Sequence, residues 1–245
     1  MDTLDIKRLL LARVYEALEQ EMAQQMDAAC TEGCAWCCTQ DVTVTSAEAL
    51  LVLDFLREAG LEDLLERLGE ADPARFKPTY TLNAFAQACF ERRDIEEEGP
   101  TGEPTACLFL EDNRCLVYPV RPLACRAFVS AAACGPGLPA ETPPAMAVLA
   151  AVCQQIVEHL DAGGLYGNLA DVLGFLSQEG RADLYRQAHP LTAPPELLAT
   201  QALPGFLIHP EVRGIVQPFL GKLFGGDVGG EAFHQRLAAL RHKAP

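Results

Sequence analysis

Four cysteines within nine residues, Cys30-Thr-Glu-Gly-Cys34-Ala-Trp-Cys37-Cys38, constrain this chain more than any other stretch. Two thiols separated by two residues, as Cys34 and Cys37 are, can point at one ion while turn amides face the sulfurs, as in zinc knuckles and many iron–sulfur loops. Gly33 permits the tight turn that such spacing requires. Packing alone demands no such pattern. Four more cysteines, Cys107, Cys115, Cys125 and Cys134, follow at intervals of eight, ten and nine. Eight thiols suffice for two four-coordinate sites, or for one cluster with further thiols beside it. Cys89 and Cys153 stand apart inside apolar helical patterns and read as buried free thiols.

Cysteine-rich chains also arise as disulfide scaffolds in small secreted domains. This chain has 245 residues, about 1.6 times a domain of ~150. Its opening, MDTLDIKRLLLARVYEALEQ, lacks both an uninterrupted apolar run and a small-residue cleavage site. The expectation is a cytoplasmic protein whose reduced thiols bind metal. The longest apolar run, Ala145 to Cys153, has nine residues, short of the ~20 that cross a bilayer, so no membrane role is expected. Lys and Arg number 19 against 34 Asp and Glu, a net charge of −15, and the basic residues are scattered. That argues against a nucleic-acid partner.

Periodicity and capping signals predict a mainly α protein. Leu4, Leu11, Val14, Leu18, Met22 and Met26 recur at helical spacing. Asp41 to Thr45 reads as a short strand, and Thr45-Ser-Ala-Glu48 has the capping-box pattern of a helix starting near residue 46. Further helices are expected at about 61–68 and 82–97, with 94–105 as a solvated acidic loop that includes Glu96-Glu-Glu98. The runs 106–110 and 114–118 suggest a hairpin about Glu111-Asp-Asn113, holding Cys107 near Cys115. Pro122 suits the first position of a short helix containing Cys125 and Arg126. Helices are expected at 146–160 and 169–187. Residues 189–218 give no clear pattern, and Phe233, Leu237 and Leu240 mark a last helix ending in basic Arg241-His-Lys243.

Clustered thiolates repel one another, so Arg121 and Arg126, flanking Cys125, are expected as compensating charges or donors to the sulfurs. The start of the Pro122 helix is expected to lower the Cys125 pKa. Tyr118 is expected to pack beside the ligand loops, and Trp36 to shield the site from water. Glu48 could reach a metal but already has a capping role. His159, His189, His209, His234 and His242 share no short motif with a cysteine and read as surface or helix-end residues. Neither GxSxG, HExxH nor a Walker loop occurs. Gly163-Gly-Leu-Tyr-Gly167 and Gly225 to Gly230 read as caps and loops, not as cofactor-binding turns.

Together, Cys30-x3-Cys34-x2-Cys37-Cys38, the Glu at the next helix start, and the segment from Cys107 through Tyr118-x2-Arg121-Pro122-x2-Cys125-Arg126 resemble the YkgJ-type CxxCxxCC cysteine-cluster family. The likeness covers residues 30 to about 134, with three residues instead of two between the first two cysteines. It implies a zinc- or iron-chelating domain. Some relatives are associated with flagellin lysine methylation, which implies as an alternative a metal- or cluster-dependent redox or protein-modifying enzyme.

The expectation is therefore an irregular cysteine-rich metal-binding core with a short β-hairpin and surrounding helices. Residues 1–140 would form the metal-binding domain and 141–245 a helical extension packed on it. The ligands would be Cys30, Cys34, Cys37, Cys38, Cys107, Cys115, Cys125 and Cys134, supported by Tyr118, Arg121 and Arg126. The metal would be zinc or iron, an iron–sulfur cluster included, with a protein partner as a further expectation. Metal is expected to contribute substantially to folding by closing the long loop between the two cysteine groups.

Overall fold

The structure is a computed structural model and describes residues 2–31, 33–96 and 98–241. About half of it is helical, with few and short strands, in agreement with the mainly α expectation. Helix α1 (Thr3–Gln25) opens on a capping box in which Asp2 accepts from the Asp5 amide at 2.8 Å. It buries Ile6, Leu10, Leu11, Val14, Leu18 and Met22. Strand β1 (Thr43–Thr45) runs straight into α2 (Ser46–Glu58), and Thr45 caps that helix reciprocally with Glu48. The local rule and the structure agree there because all the donors involved lie within one turn.

Residues Glu62–Glu70 wind as a 3₁₀ helix instead of the expected α-helix, with only Leu64 buried to favour the wider turn. Helix α3 (Leu82–Phe90) stops well short of residue 97. Arg92 takes φ 54°, and the amides of Arg92 and Arg93 bond back to Cys89 O at 3.1 Å and Ala88 O at 2.9 Å. This left-handed closing turn is usually marked by glycine, so arginine conceals it in the sequence. The acidic stretch beyond is anchored: the Glu98 carboxylate accepts from Thr79 N at 2.9 and 3.0 Å. Glu97 lies outside the described residues.

Strands β2 (Leu110–Glu111) and β3 (Arg114–Cys115) form the expected hairpin, pairing Leu110 with Cys115. Its turn is the two residues Asp112 and Asn113, with φ 48° and 61°, and not three. Both are types that tolerate the left-handed region a two-residue hairpin needs. In α4 (Leu123–Ala127), Pro122 is the capping residue before the helix and not its first member.

Helix α5 (Pro144–Leu160) leads through Gly163 and Gly164 into β4 (Leu165–Asn168). The expected loop is therefore partly strand: β4 lies between β1 and β5 (Leu198–Ala199) in a three-stranded sheet, with Val44 opposite Gly167. The helix expected at 169–187 is two helices, α6 (Leu169–Ser177) and α7 (Arg181–Arg186), divided at Gly180 with φ 74°. Helix α8 (Arg213–Gly225) contains Pro218. The expected glycine loop that follows is a hairpin of β6 (Asp227–Val228) and β7 (Glu231–Ala232), leading into α9 (Phe233–Arg241). His242 and Lys243, the expected basic end of α9, lie outside the described residues.

One cluster of buried apolar residues joins these elements, including Leu10 and Leu18 of α1, Leu53 of α2, Phe109, Leu123 of α4, Ile156 of α5, Leu173 of α6 and Phe233 of α9. Among the described residues no helix is long and apolar enough to cross a membrane.

Candidate metal centre

Backbone pairing creates the neighbourhood of the thiols. The Cys107 amide donates to Cys38 O at 2.9 Å, the Gln40 amide to Thr105 O at 2.9 Å, and Thr39 and Ala106 form an antiparallel bridge. The cysteine loop is thereby joined to the strand leading into the hairpin. Within the hairpin, the Leu116 amide donates to Phe109 O at 2.9 Å, which fixes Cys115 near Cys107. Helix α4 then brings Cys125 to the same place.

The electrostatics report the result. Cys38 feels the charges of Cys107, Cys115 and Cys125, and Cys125 feels those of Cys107, Cys115 and Cys37. The Cys37 thiol donates a hydrogen bond to the Cys38 sulfur, holding the Cys38 thiol below its ordinary pKa and pushing Cys37 up. Burial pushes Cys107, Cys115 and Cys125 up, with neighbouring thiols adding to the rise at Cys125. The expected lowering of Cys125 by its helix is overturned: α4 has five residues, and loss of solvent around the sulfur outweighs so short a dipole.

Cys30, Cys34 and Cys134 sit on the surrounding loops. Cys30 is exposed and its sulfur accepts from Ser130 N at 3.4 Å. Cys34 follows the Gly33 turn, where φ is 86°. Cys134 lines an open groove of about 360 Å³ with Trp36, Cys37, Phe128 and Leu138. Trp36 is 57% exposed, so it forms a wall of this groove instead of the shield expected of it. Among the described residues no three His, Cys, Asp or Glu side chains form a ready-made metal-ligand group. In kind, the donor set fits zinc or iron, since both take thiolates. In arrangement, it is a group of neighbouring thiols and not a finished cage.

Arg126 donates to Glu19 Oε1 at 2.6 Å, to Arg121 O at 2.8 Å and to Pro119 O at 3.0 Å, and lies 4.5 Å from the centre of the Tyr15 ring. Arg121 shares Glu19 at 3.2 Å and stacks 3.9 Å over the exposed Tyr118 ring. Its charge partly offsets the rise at Cys115. Arg121 thus divides its charge between Cys115 and Glu19 on α1, whereas Arg126 is held by Glu19, two backbone carbonyls and the Tyr15 ring.

Two residues carry more of this architecture than their sequence context announces. Gln40 donates to Ala106 O at 3.0 Å and accepts from Asp72 N at 2.8 Å, bracing the joint between the two cysteine segments. Glu48, beyond its cap, accepts from Tyr15 Oη at 2.9 Å and from Leu123 N at 2.8 Å. Only the cap has a local signal, because Leu123 lies 75 residues away. Cys153 is fully buried in α5, as expected, while Cys89 on α3 is partly exposed. His159 stands at a helix end but is buried, its Nδ1 accepting from Leu203 N at 3.1 Å. His242 is outside the described residues.

A family model, CxxCxxCC, described as "Putative zinc- or iron-chelating domain", matches residues 29–154, just over half of the chain. No curated protein and no solved structure matches the chain.

Proposed function

The chain belongs to the CxxCxxCC family, and from that premise we propose that it chelates zinc or iron through Cys37, Cys38, Cys107, Cys115 and Cys125. The observation that carries this reading is the hydrogen bond from the Cys107 amide to Cys38 O, which joins two cysteine segments far apart in sequence. Cys30, Cys34 and Cys134 stand on the rim, where they are available to complete or exchange a ligand set.

Bound metal would supply Lewis acidity that stabilises thiolates otherwise disfavoured by burial. The chain's own contribution is to gather the sulfurs, to hold Cys38 ready by the Cys37 hydrogen bond, and to limit solvent around Cys107 and Cys125. The role that best accords with this arrangement is structural chelation or metal storage.

Metal and acid-labile sulfide analysis of protein purified without oxygen tests the reading. Near-stoichiometric zinc without visible absorption supports a thiolate zinc site, whereas iron with sulfide and a band near ~400 nm supports a cluster. The Cys37→Ser/Cys115→Ser double variant is expected to lose most of that metal. Full metal content and unchanged stability in this variant would overturn the proposal.

A further inference from the structure

Helix α4 carries Cys125 but has no cap of its own. Pro122 precedes it without a side-chain hydrogen bond to the helix start. The first amide of the helix, at Leu123, therefore needs a partner from elsewhere, because a buried amide without one is costly. Leu123 is 1% exposed, which excludes bulk water from that role. Its partner is Glu48 Oε1, at 2.8 Å.

The capping box of α2 does not account for this bond. That motif uses only the other carboxylate oxygen, Oε2, which accepts from Thr45 N and Thr45 Oγ1, both at 3.1 Å. Oε1 turns away from α2 and accepts from Leu123 N and from Tyr15 Oη. Tyr15 in turn lies beneath the guanidinium of Arg126, the residue after Cys125. A carboxylate only 4% exposed is expensive to bury. Four donors offset that cost here, and two of them serve the cysteine helix or the ring beneath it.

We propose that Glu48 is the positioning residue for Cys125: it caps α4 from a distance and, with Tyr15, sets the place of that thiol beside Cys107 and Cys115. Its consequence for metal binding rests on the chelating reading above, whereas its structural test does not. Glu48 acts through α4 and is not itself a ligand.

Residue-resolved alkylation of the metal-free full-length chain by iodoacetamide, read by peptide mass spectrometry, makes the test. In Glu48→Gln the single remaining carbonyl oxygen cannot serve both Thr45 and Leu123. Cys125 should then react about tenfold faster, through the lost hydrogen bond together with removal of the Glu48 charge that holds this thiol up, while Cys107 and Cys115 stay within about twofold. Tyr15→Phe keeps the charge and so separates positioning from electrostatics. Tyr15→Phe, which retains the Leu123 bond, should raise Cys125 reactivity selectively but by about threefold. It carries the same comparison if circular dichroism shows Glu48→Gln to be unfolded. An unchanged Cys125 rate in a folded variant, or an equal rise at all three cysteines, overturns the proposal.

A second arm measures zinc affinity by competition with a chromophoric chelator. Glu48→Gln should weaken binding about tenfold in the parent and less than about twofold in a Cys125→Ser background. Equal losses in both would show that Glu48 does not act through Cys125. If the parent binds zinc or iron no better than Cys37→Ser/Cys115→Ser, the chelating reading fails, and the alkylation result still decides the role of Glu48.

Discussion

Asp161 shows how much one side chain can join. It is fully buried, pairs with Lys7 of α1 at 2.7 Å, and accepts from Ser46 Oγ at 2.6 Å, Ala47 N at 3.0 Å and Tyr185 Oη. Helices α1, α2 and α7 thus meet at one carboxylate beyond the end of α5. Gly164 lies against this junction: a Cβ there would stand 2.5 Å from both Asp161 Oδ2 and Ser46 Oγ. Gly164→Ala should therefore lower stability by about 2 kcal/mol in chemical denaturation, the scale of an overpacked site. Metal content per folded molecule should not change, since no cysteine of the centre touches this junction in the hydrogen-bond network. A variant as stable as the parent would show that the junction relaxes freely. Locally, Gly163-Gly164 reads only as a turn, because one of the two atoms that require its small size, Ser46 Oγ, comes from a residue more than a hundred positions earlier.

At the scale of elements, Glu158 ties α5 to two neighbours. It accepts from Asn83 N in α3 and from Gln201 N just after β5, both at 2.8 Å. Burial raises its pKa above the ordinary 4.5. The folded state therefore binds more protons than the unfolded chain in the window that opens just above 4.5, and the contribution of this group to stability falls as pH rises through it. Glu48 shifts in the same direction, also through burial. Replacing Glu158 with Gln removes its titration and leaves one amide poorly matched, at a cost of about 1–3 kcal/mol. The deficit relative to the parent, measured by urea unfolding, should be larger near pH 5 than near pH 7. A deficit that grows with pH would refute this assignment.

For the molecule as a whole, the matched family segment and the packed core do not coincide. Residues 29–154 exclude α1, with its buried Leu10, Leu11, Val14 and Leu18, and end inside α5. They also exclude β4, the partner of β1, and α6, which packs against α2. A fragment of residues 29–154 should show no cooperative thermal transition, whereas the full chain should. A sharp calorimetric transition in the fragment would establish an independent unit. The segment between the two cysteine groups contains α2, a 3₁₀ helix and α3, and backbone bonds around Thr39 and Ala106 close it. Removing metal should consequently leave the far-ultraviolet helical signal largely intact, and collapse of that signal would return metal to a central role in folding.

Much of the element order was legible because its causes are local. The stripe of α1, the Thr45–Glu48 box, the hairpin before Cys115 and the body of α5 each follow from periodicity or from donors and acceptors within a few residues. Element ends were less legible, since Arg92 closes α3 in a conformation that ordinarily advertises itself with glycine. The cysteine spacing by itself determined the donor chemistry: many thiols, closely set, of a kind that zinc and iron accept. Tertiary structure decided which thiols become neighbours, which oxygen of Glu48 reaches α4, and which glycine turn becomes a strand. These choices depend on contacts between residues tens to more than a hundred positions apart, whose energies arise only once the intervening helices have packed and excluded water.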